Sequence, residues 1–161
     1  MEKLWAPWRM KFIQQVDKSI CIFCEKPSLN KDKENYIIYR GEYSYIIMNI
    51  YPYSNGHLMI APYAHKADIE ELSEEESLEI MKLSQLSIKA IKRKMNPEAF
   101  NLGMNLGKVA GAGFDGHLHL HVVPRWQGDT NFMPIVGQTK VISESLEETY
   151  KKLIEGIKEV K

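Results

Sequence analysis

Seven consecutive residues, His117-Leu118-His119-Leu120-His121-Val122-Val123, alternate imidazole and aliphatic side chains before two apolar residues in a row. Side chains on a strand alternate between faces with a period of two, so the run reads as a strand with one buried face. Leu118, Leu120 and Val122 then point to a core, and three of the chain's five histidines share the other face. Same-face neighbours lie roughly 6–7 Å apart, close enough for one phosphate or one metal to touch two of them. Clustered imidazoles can donate hydrogen bonds, exchange protons and attack phosphorus or carbon. A glycine-rich loop, residues 107–116 with four glycines in ten positions, runs directly into this strand. A solvated strand face and an all-histidine metal site are the competing readings.

The rest of the chain supplies a frame for that strand. Residues 36–40 and 43–50 are rich in β-branched and aromatic residues and read as two strands joined by a hairpin turn at Gly41-Glu42. Tyr51-Pro52-Tyr53-Ser54-Asn55-Gly56 is turn chemistry leading into a third strand, 57–62. Residues 68–96 are helical: Ser73-Glu74-Glu75-Glu76 is a capping box, and Leu78, Met81, Leu83, Leu86, Ile88, Ile91 and Met95 approximate a helical stripe. That stripe serves a core and an interface equally well. Residues 100–106 and 117–124 read as further strands, a short strand falls near 139–142, and a final helix starts from about Ser143. Residues 26–35 are polar and charged and read as a loop. Short turns between strands favour antiparallel pairing, so the class is α+β: an antiparallel sheet of about five strands, a long helix and a C-terminal helix. We expect one domain over 1–161, with an N-terminal arm over 1–20 and a C-terminal extension over 127–161.

Composition excludes several roles. Lysine plus arginine and aspartate plus glutamate both number 21, so the chain lacks the basic excess of a nucleic-acid coat, and no nucleic-acid partner is expected. A local field is enough for a small anion. No apolar run reaches membrane-spanning length and the N-terminus lacks a signal-peptide core, so a cytoplasmic protein is expected. The only cysteines, Cys21 and Cys24, form a C-x-x-C. In a reducing compartment that spacing points to metal or redox chemistry; a closed zinc site needs two more ligands, and no βαβ pattern adjoins to favour a redox dithiol.

The run His117-Leu118-His119-Leu120-His121-Val122-Val123 resembles the signature of the histidine-triad family of nucleotidyl hydrolases and transferases, and the likeness extends over about 20–125. The flanks, Leu4-Trp5-Ala6-Pro7-Trp8-Arg9 and Arg125-Trp126-Gln127-Gly128-Asp129-Thr130-Asn131-Phe132, resemble the branch related to diadenosine tetraphosphate phosphorylases and hydrolases. The resemblance implies that His119 attacks the α-phosphorus and carries a nucleotidyl-imidazole intermediate, while His121 donates to a phosphate oxygen. His57 corresponds to a further family histidine behind the site, where a purely structural role fits equally well. Asn49 falls at the ribose-binding position, Ile47 and Met59 at the adenine slot, and Asn105, Gly111 and Gly113 where amide groups approach phosphates; plain core is the other reading of Ile47 and Met59. Many relatives carry Gln or Ser in that loop; Ala112 and Gly113 stand here instead, leaving backbone donors or Lys108.

Family members with an N-terminal C-x-x-C imply a structural zinc on Cys21, Cys24, His65 and His117, and no organic cofactor. The implied reaction is cleavage of dinucleoside polyphosphates, diadenosine tetraphosphate first among them. Water as acceptor gives AMP plus ATP, and inorganic phosphate gives ADP plus ATP. A nucleoside phosphoramidase or general purine nucleotide hydrolase shares the same residues, and a nucleotide-binding regulatory or scaffold protein is the alternative of another class. The family also implies a homodimer.

Overall fold

A computed structural model describes residues 20–130 and 141–161. The elements in chain order are α1 (Ile22–Ser28), β1 (Ile37–Arg40), β2 (Ser44–Met48), β3 (Leu58–Pro62), α2 (Glu74–Met95), β4 (Ala99–Met104), β5 (Leu120–Arg125) and α3 (Leu146–Val160). Short 3-10 turns sit at Ile69–Glu71 and Lys108–Ala110. The strands form one five-stranded sheet in the order β1-β2-β3-β5-β4, and every neighbouring pair is antiparallel. The α+β class and its five strands are as the sequence predicts.

Period-two alternation gives the sheet two different faces. Ile46 and Met48 of β2, Leu58 and Ile60 of β3, and Leu120 and Val122 of β5 join Ile80, Leu83, Ala90 and Ile91 of α2 and Leu153 and Ile157 of α3 in the main core. Tyr45 and Ile47, then Met59 and Ala61, turn to the opposite face and pack with Phe23 of α1. Every residue of β2 and β3 is buried.

α2 is capped as the sequence predicts: Ser73 Oγ accepts from the Glu76 amide, and the Glu76 carboxylate accepts from the Ser73 amide. Asn96 in the left-handed region ends it before Pro97. The buried stripe differs from the expected one. Ile80, Leu83, Ser84, Ser87, Ala90 and Ile91 face the core, whereas Leu78 and Met81 are more than half exposed. The small side chains on this stripe let α3 approach closely: a Cβ built on Gly156 would lie 2.9 Å from the Ala90 carbonyl oxygen.

Four boundaries differ for physical reasons. The β1–β2 connection is Gly41-Glu42-Tyr43, one residue longer than a Gly41-Glu42 turn, because the Glu79 carboxylate of α2 accepts from the amides of Glu42, Tyr43 and Ser44 at 2.8, 2.7 and 2.6 Å. The β5 ladder begins at Leu120 and not at His117. Pro62, at the end of β3, has no N–H to offer, and the Leu118 amide instead donates to the Lys66 carbonyl at 2.7 Å. Residues 22–28 are a helix, and its last three, 26–28, fall in the loop expected over 26–35. Pro27 cannot donate to the Phe23 carbonyl one turn back, and the Tyr45 hydroxyl does so at 2.7 Å. The C-terminal helix starts at Leu146, with Ser145 as its cap. Apart from Ile20 the arm lies outside the described residues, as do 139 and 140 of the expected short strand; Val141 and Ile142 are in no strand.

Candidate active site and metal centre

The face of the sheet opposite α2 and α3 carries a cleft. Its walls are Ile22, Phe23 and Lys26 from α1, Ile47 to Tyr51 from β2 and its exit, Tyr53, Met59 from β3, Gly113 and Phe114 from the loop, and His119 and His121. Lys26 is the one lysine, arginine, aspartate or glutamate among these lining residues. Burial pulls its ammonium below the usual lysine range, against the opposing charge of Glu25.

His119 is nearly buried, and its Nδ1 lies 2.9 Å from the His117 carbonyl oxygen. A carbonyl only accepts, so Nδ1 carries the proton and Nε2 keeps its lone pair. Burial holds this imidazole below the ordinary histidine value, the His117 carbonyl opposing. The neutral ring with a free Nε2 is the form a nucleophile needs.

A second chain of bonds assigns His121. The Tyr53 amide donates to His57 Nδ1 at 3.1 Å, so the proton of a neutral His57 sits on Nε2. Asn49 Nδ2 approaches the same Nδ1 at 3.3 Å. His57 Nε2 lies 2.9 Å from His121 Nδ1 and donates to it, which leaves the His121 proton on Nε2 as a donor. The His119 and His121 rings meet edge to face with centroids 4.8 Å apart. One histidine thus presents a lone pair and its neighbour presents a proton.

Behind this pair, Cys21 Sγ, Cys24 Sγ, His65 Nδ1 and His117 Nδ1 all lie within 4.8 Å of one another. The separations are 3.3 Å from Cys21 Sγ to His117 Nδ1, 3.5 Å from Cys24 Sγ to His117 Nδ1, 3.4 Å from Cys24 Sγ to His65 Nδ1, and 3.3 Å between the two Nδ1 atoms. A tetrahedral ion with metal–sulfur bonds of ~2.3 Å and metal–nitrogen bonds of ~2.05 Å requires edges of about 3.5 Å and 3.3 Å, so the donor set fits such an ion. His117 Nε2 donates to the Pro62 carbonyl at 2.9 Å, which fixes the tautomer with Nδ1 free to ligate. Burial pushes the His117 imidazole down to about 4, and burial with the adjoining Cys21 pushes the Cys24 thiol up to about 11. Each thiol has only one weak S–H to offer its imidazole neighbours, and a cation between the four atoms reverses the cost of thiolate formation.

The structure therefore brings His119, His121, Ile47, Asn49, Met59 and Gly113 to one cleft, sets His57 behind it, and gathers the four expected metal-binding side chains. Ile47 and Met59 are both core residues and cleft wall. Asn105 and Gly111 do not line the cleft; Gly111 is exposed with a φ of +90°. The sequence reading missed Phe23, Lys26, Tyr53 and Phe114. A signal existed for Phe23, which sits between the two cysteines.

The HIT domain family matches residues 30–128, and the chain belongs to that family. An AP-4-A phosphorylase of Mycobacterium tuberculosis is 40% identical over 162 residues, spanning 95% of this chain and 83% of that protein. The adenosine 5'-monophosphoramidase of Schizosaccharomyces pombe is 30% identical over 105 residues, 65% of this chain and 74% of its own. Among solved structures, a Zn-bound histidine triad family protein from Mycobacterium smegmatis superposes with a TM-score of 0.71 at 25% identity, covering 89% of this chain and 96% of that one.

Proposed function

We propose that this chain is a nucleotidyl transferase acting on dinucleoside polyphosphates, diadenosine tetraphosphate first among them, with inorganic phosphate as acceptor. The observation that carries the reading is His119, neutral, with Nδ1–H on a main-chain carbonyl and its Nε2 lone pair kept for the cleft. Nε2 attacks the α-phosphorus; the N–P bond forms as the P–O bond to the leaving nucleoside polyphosphate breaks. The Nε2 proton of His121 neutralises charge on the phosphate oxygens. In the second step a phosphate oxygen attacks the same phosphorus and the N–P bond breaks, giving ADP plus ATP. Asn49 meets the ribose, Ile47 and Met59 hold the base, and the main chain at Gly113 approaches the phosphates. Asn105 and Gly111 remain proposed phosphate contacts that need the loop to draw in around substrate. Support for phosphate over water comes from the name of the 40% identical relative.

Product analysis with diadenosine tetraphosphate, with and without phosphate, is the test. ADP plus ATP formed only with phosphate is the expected result. AMP plus ATP in both tubes makes the enzyme a hydrolase. His119→Gly should lower turnover at least about 1,000-fold while nucleotide affinity persists, and wild-type turnover in that variant refutes the nucleophile. The phosphoramidase relative favours a second reading, tested by offering adenosine 5'-phosphoramidate to the same preparation.

Zinc is the proposed ion at Cys21, Cys24, His65 and His117, in a structural role that ties α1 to the start of β5. Metal content of protein purified without chelator tests it. A homodimer is proposed with support from β4, which among the described residues is a sheet edge with Leu102 exposed.

A further inference from the structure

Phe23 stands between two cysteines of the metal cluster in sequence and against the proposed nucleophile in space. Its ring is 2% exposed and stacks on the His119 imidazole, with centroids 4.5 Å apart and planes 24° apart. The same ring meets His117 at 5.4 Å and Phe114 edge to face at 6.2 Å. Its main chain is equally fixed. The Tyr45 hydroxyl holds its carbonyl at 2.7 Å, and the Cys21 carbonyl accepts from the Cys24 and Glu25 amides. The second hold on His119, the His117 carbonyl at 2.9 Å, comes from another residue of the same cluster. So two of the three described contacts on the His119 ring, the stack on its plane and the bond at Nδ1, are delivered by residues that are metal-binding side chains or lie between them; the third is the edge of His121.

We propose that Phe23 is a positioning residue for His119, through which the Cys21–Cys24–His65–His117 cluster sets the attack geometry of the nucleophile. α1 has only seven residues, too few to hold its shape without outside support. With an ion bound, Cys21 and Cys24 fix the first turn of α1 and thereby the plane of the Phe23 ring. With the ion removed, the first turn loses that anchor and the imidazole gains freedom to rotate and change tautomer. Near-attack geometry tolerates little error, and a displacement of about 1 Å costs on the order of 100-fold in rate. The inference rests on the reading of His119 as nucleophile, but its central observable, the state of the His119 ring, exists without substrate.

The experiment uses the full chain as purified, the metal-stripped chain, and Phe23→Ala. Three quantities are read at one fixed pH: the nitrogen-15 signals of the His119 ring, metal content, and kcat and KM for diadenosine tetraphosphate. The expected result is a single Nδ1–H tautomer in the loaded wild type and an averaged signal in both the stripped wild type and Phe23→Ala. The variant keeps its metal, and kcat falls by about tenfold or more, a larger change than that in KM. Phe23→Leu, which keeps the bulk but not the flat ring, replaces Phe23→Ala if that variant does not fold, with the same readings expected. A raised KM at unchanged kcat overturns the proposal and leaves Phe23 as cleft wall. An unchanged His119 signal on metal removal overturns the coupling. A wild type without turnover sinks the proposed reaction, while the ring signals still decide whether the cluster reaches His119.

Discussion

Lys26 is an expensive residue to set into an apolar wall. Its ammonium is partly desolvated, and the surrounding lining is aliphatic, aromatic, amide or imidazole. The proposed polyphosphate substrate would give this ammonium an anionic partner inside the cleft, so Lys26→Met should raise KM for diadenosine tetraphosphate about 10–100-fold, as expected for loss of one charge-assisted bond, with kcat little changed. Steady-state kinetics decide it, and an unchanged KM removes Lys26 from the site. At this scale the sequence was partly legible. Alternation alone sends Leu120 and Val122 to one face and His119 and His121 to the other, and the structure keeps that division. The bond from Tyr53 through His57 to His121 was not legible, because its second link joins the turn before β3 to β5, an approach only the folded sheet defines.

At the scale of elements, local rules worked where the deciding contact is local. Ser73 and Glu76 cap α2 three residues apart, and both the box and its position are plain in the sequence. α1 was not legible because its exception is long-range: Pro27 reads as a break, and the group that compensates, Tyr45, is far along the chain. Tyr45→Phe should leave the Phe23 carbonyl buried without a donor and cost about 1–3 kcal/mol, measured by denaturant unfolding. The phase of α2 was legible in part: Leu83, Leu86, Ile88, Ile91 and Met95 of the expected stripe lie in or against the main core, and Leu78 and Met81 do not. Leu78 and Met81 offer one apolar stripe and Ile80, Leu83 and Ile91 another, and the arrival of α3 selects the second. Gly156 marks where those two helices touch. Gly156→Ala gains about 1 kcal/mol of helix propensity but drives a methyl to 2.9 Å from the Ala90 carbonyl oxygen, so a net loss of about 1–2 kcal/mol is expected. Chemical denaturation checks it, and a stabilised variant contradicts the packing.

Across the molecule, one ion pair joins the cap of the long helix to the approach of the histidine strand. Lys66 Nζ lies 2.6 Å from Glu76 Oε2, and the Lys66 carbonyl receives the Leu118 amide. Burial raises the Glu76 carboxyl, but the Lys66 ammonium and the Ser73 amide together hold it below the ordinary value of 4.5. A carboxyl lowered in the fold stabilises fully above its unfolded value and loses that contribution as pH falls through the folded one. The melting-temperature gap between wild type and Glu76→Gln should therefore be widest near neutrality and close below pH 4.5. A gap that stays constant into acid contradicts the pairing. The described residues contain no helix long and apolar enough to cross a membrane.

The two faces of β2 and β3 are covered unequally. Two long helices back one side, while a seven-residue helix and an open cleft cover the other. A purine seated between Ile47 and Met59 would act as a removable piece of interior, finishing a layer the polypeptide leaves incomplete. Ligand at 100 times its dissociation constant adds about 2.7 kcal/mol to folding, or roughly 5–10 °C of melting temperature for a chain of this size, readable by scanning calorimetry. The lifetime of such a protein then follows its nucleotide supply, so that scarcity of ligand lowers the amount of catalyst as well as its rate.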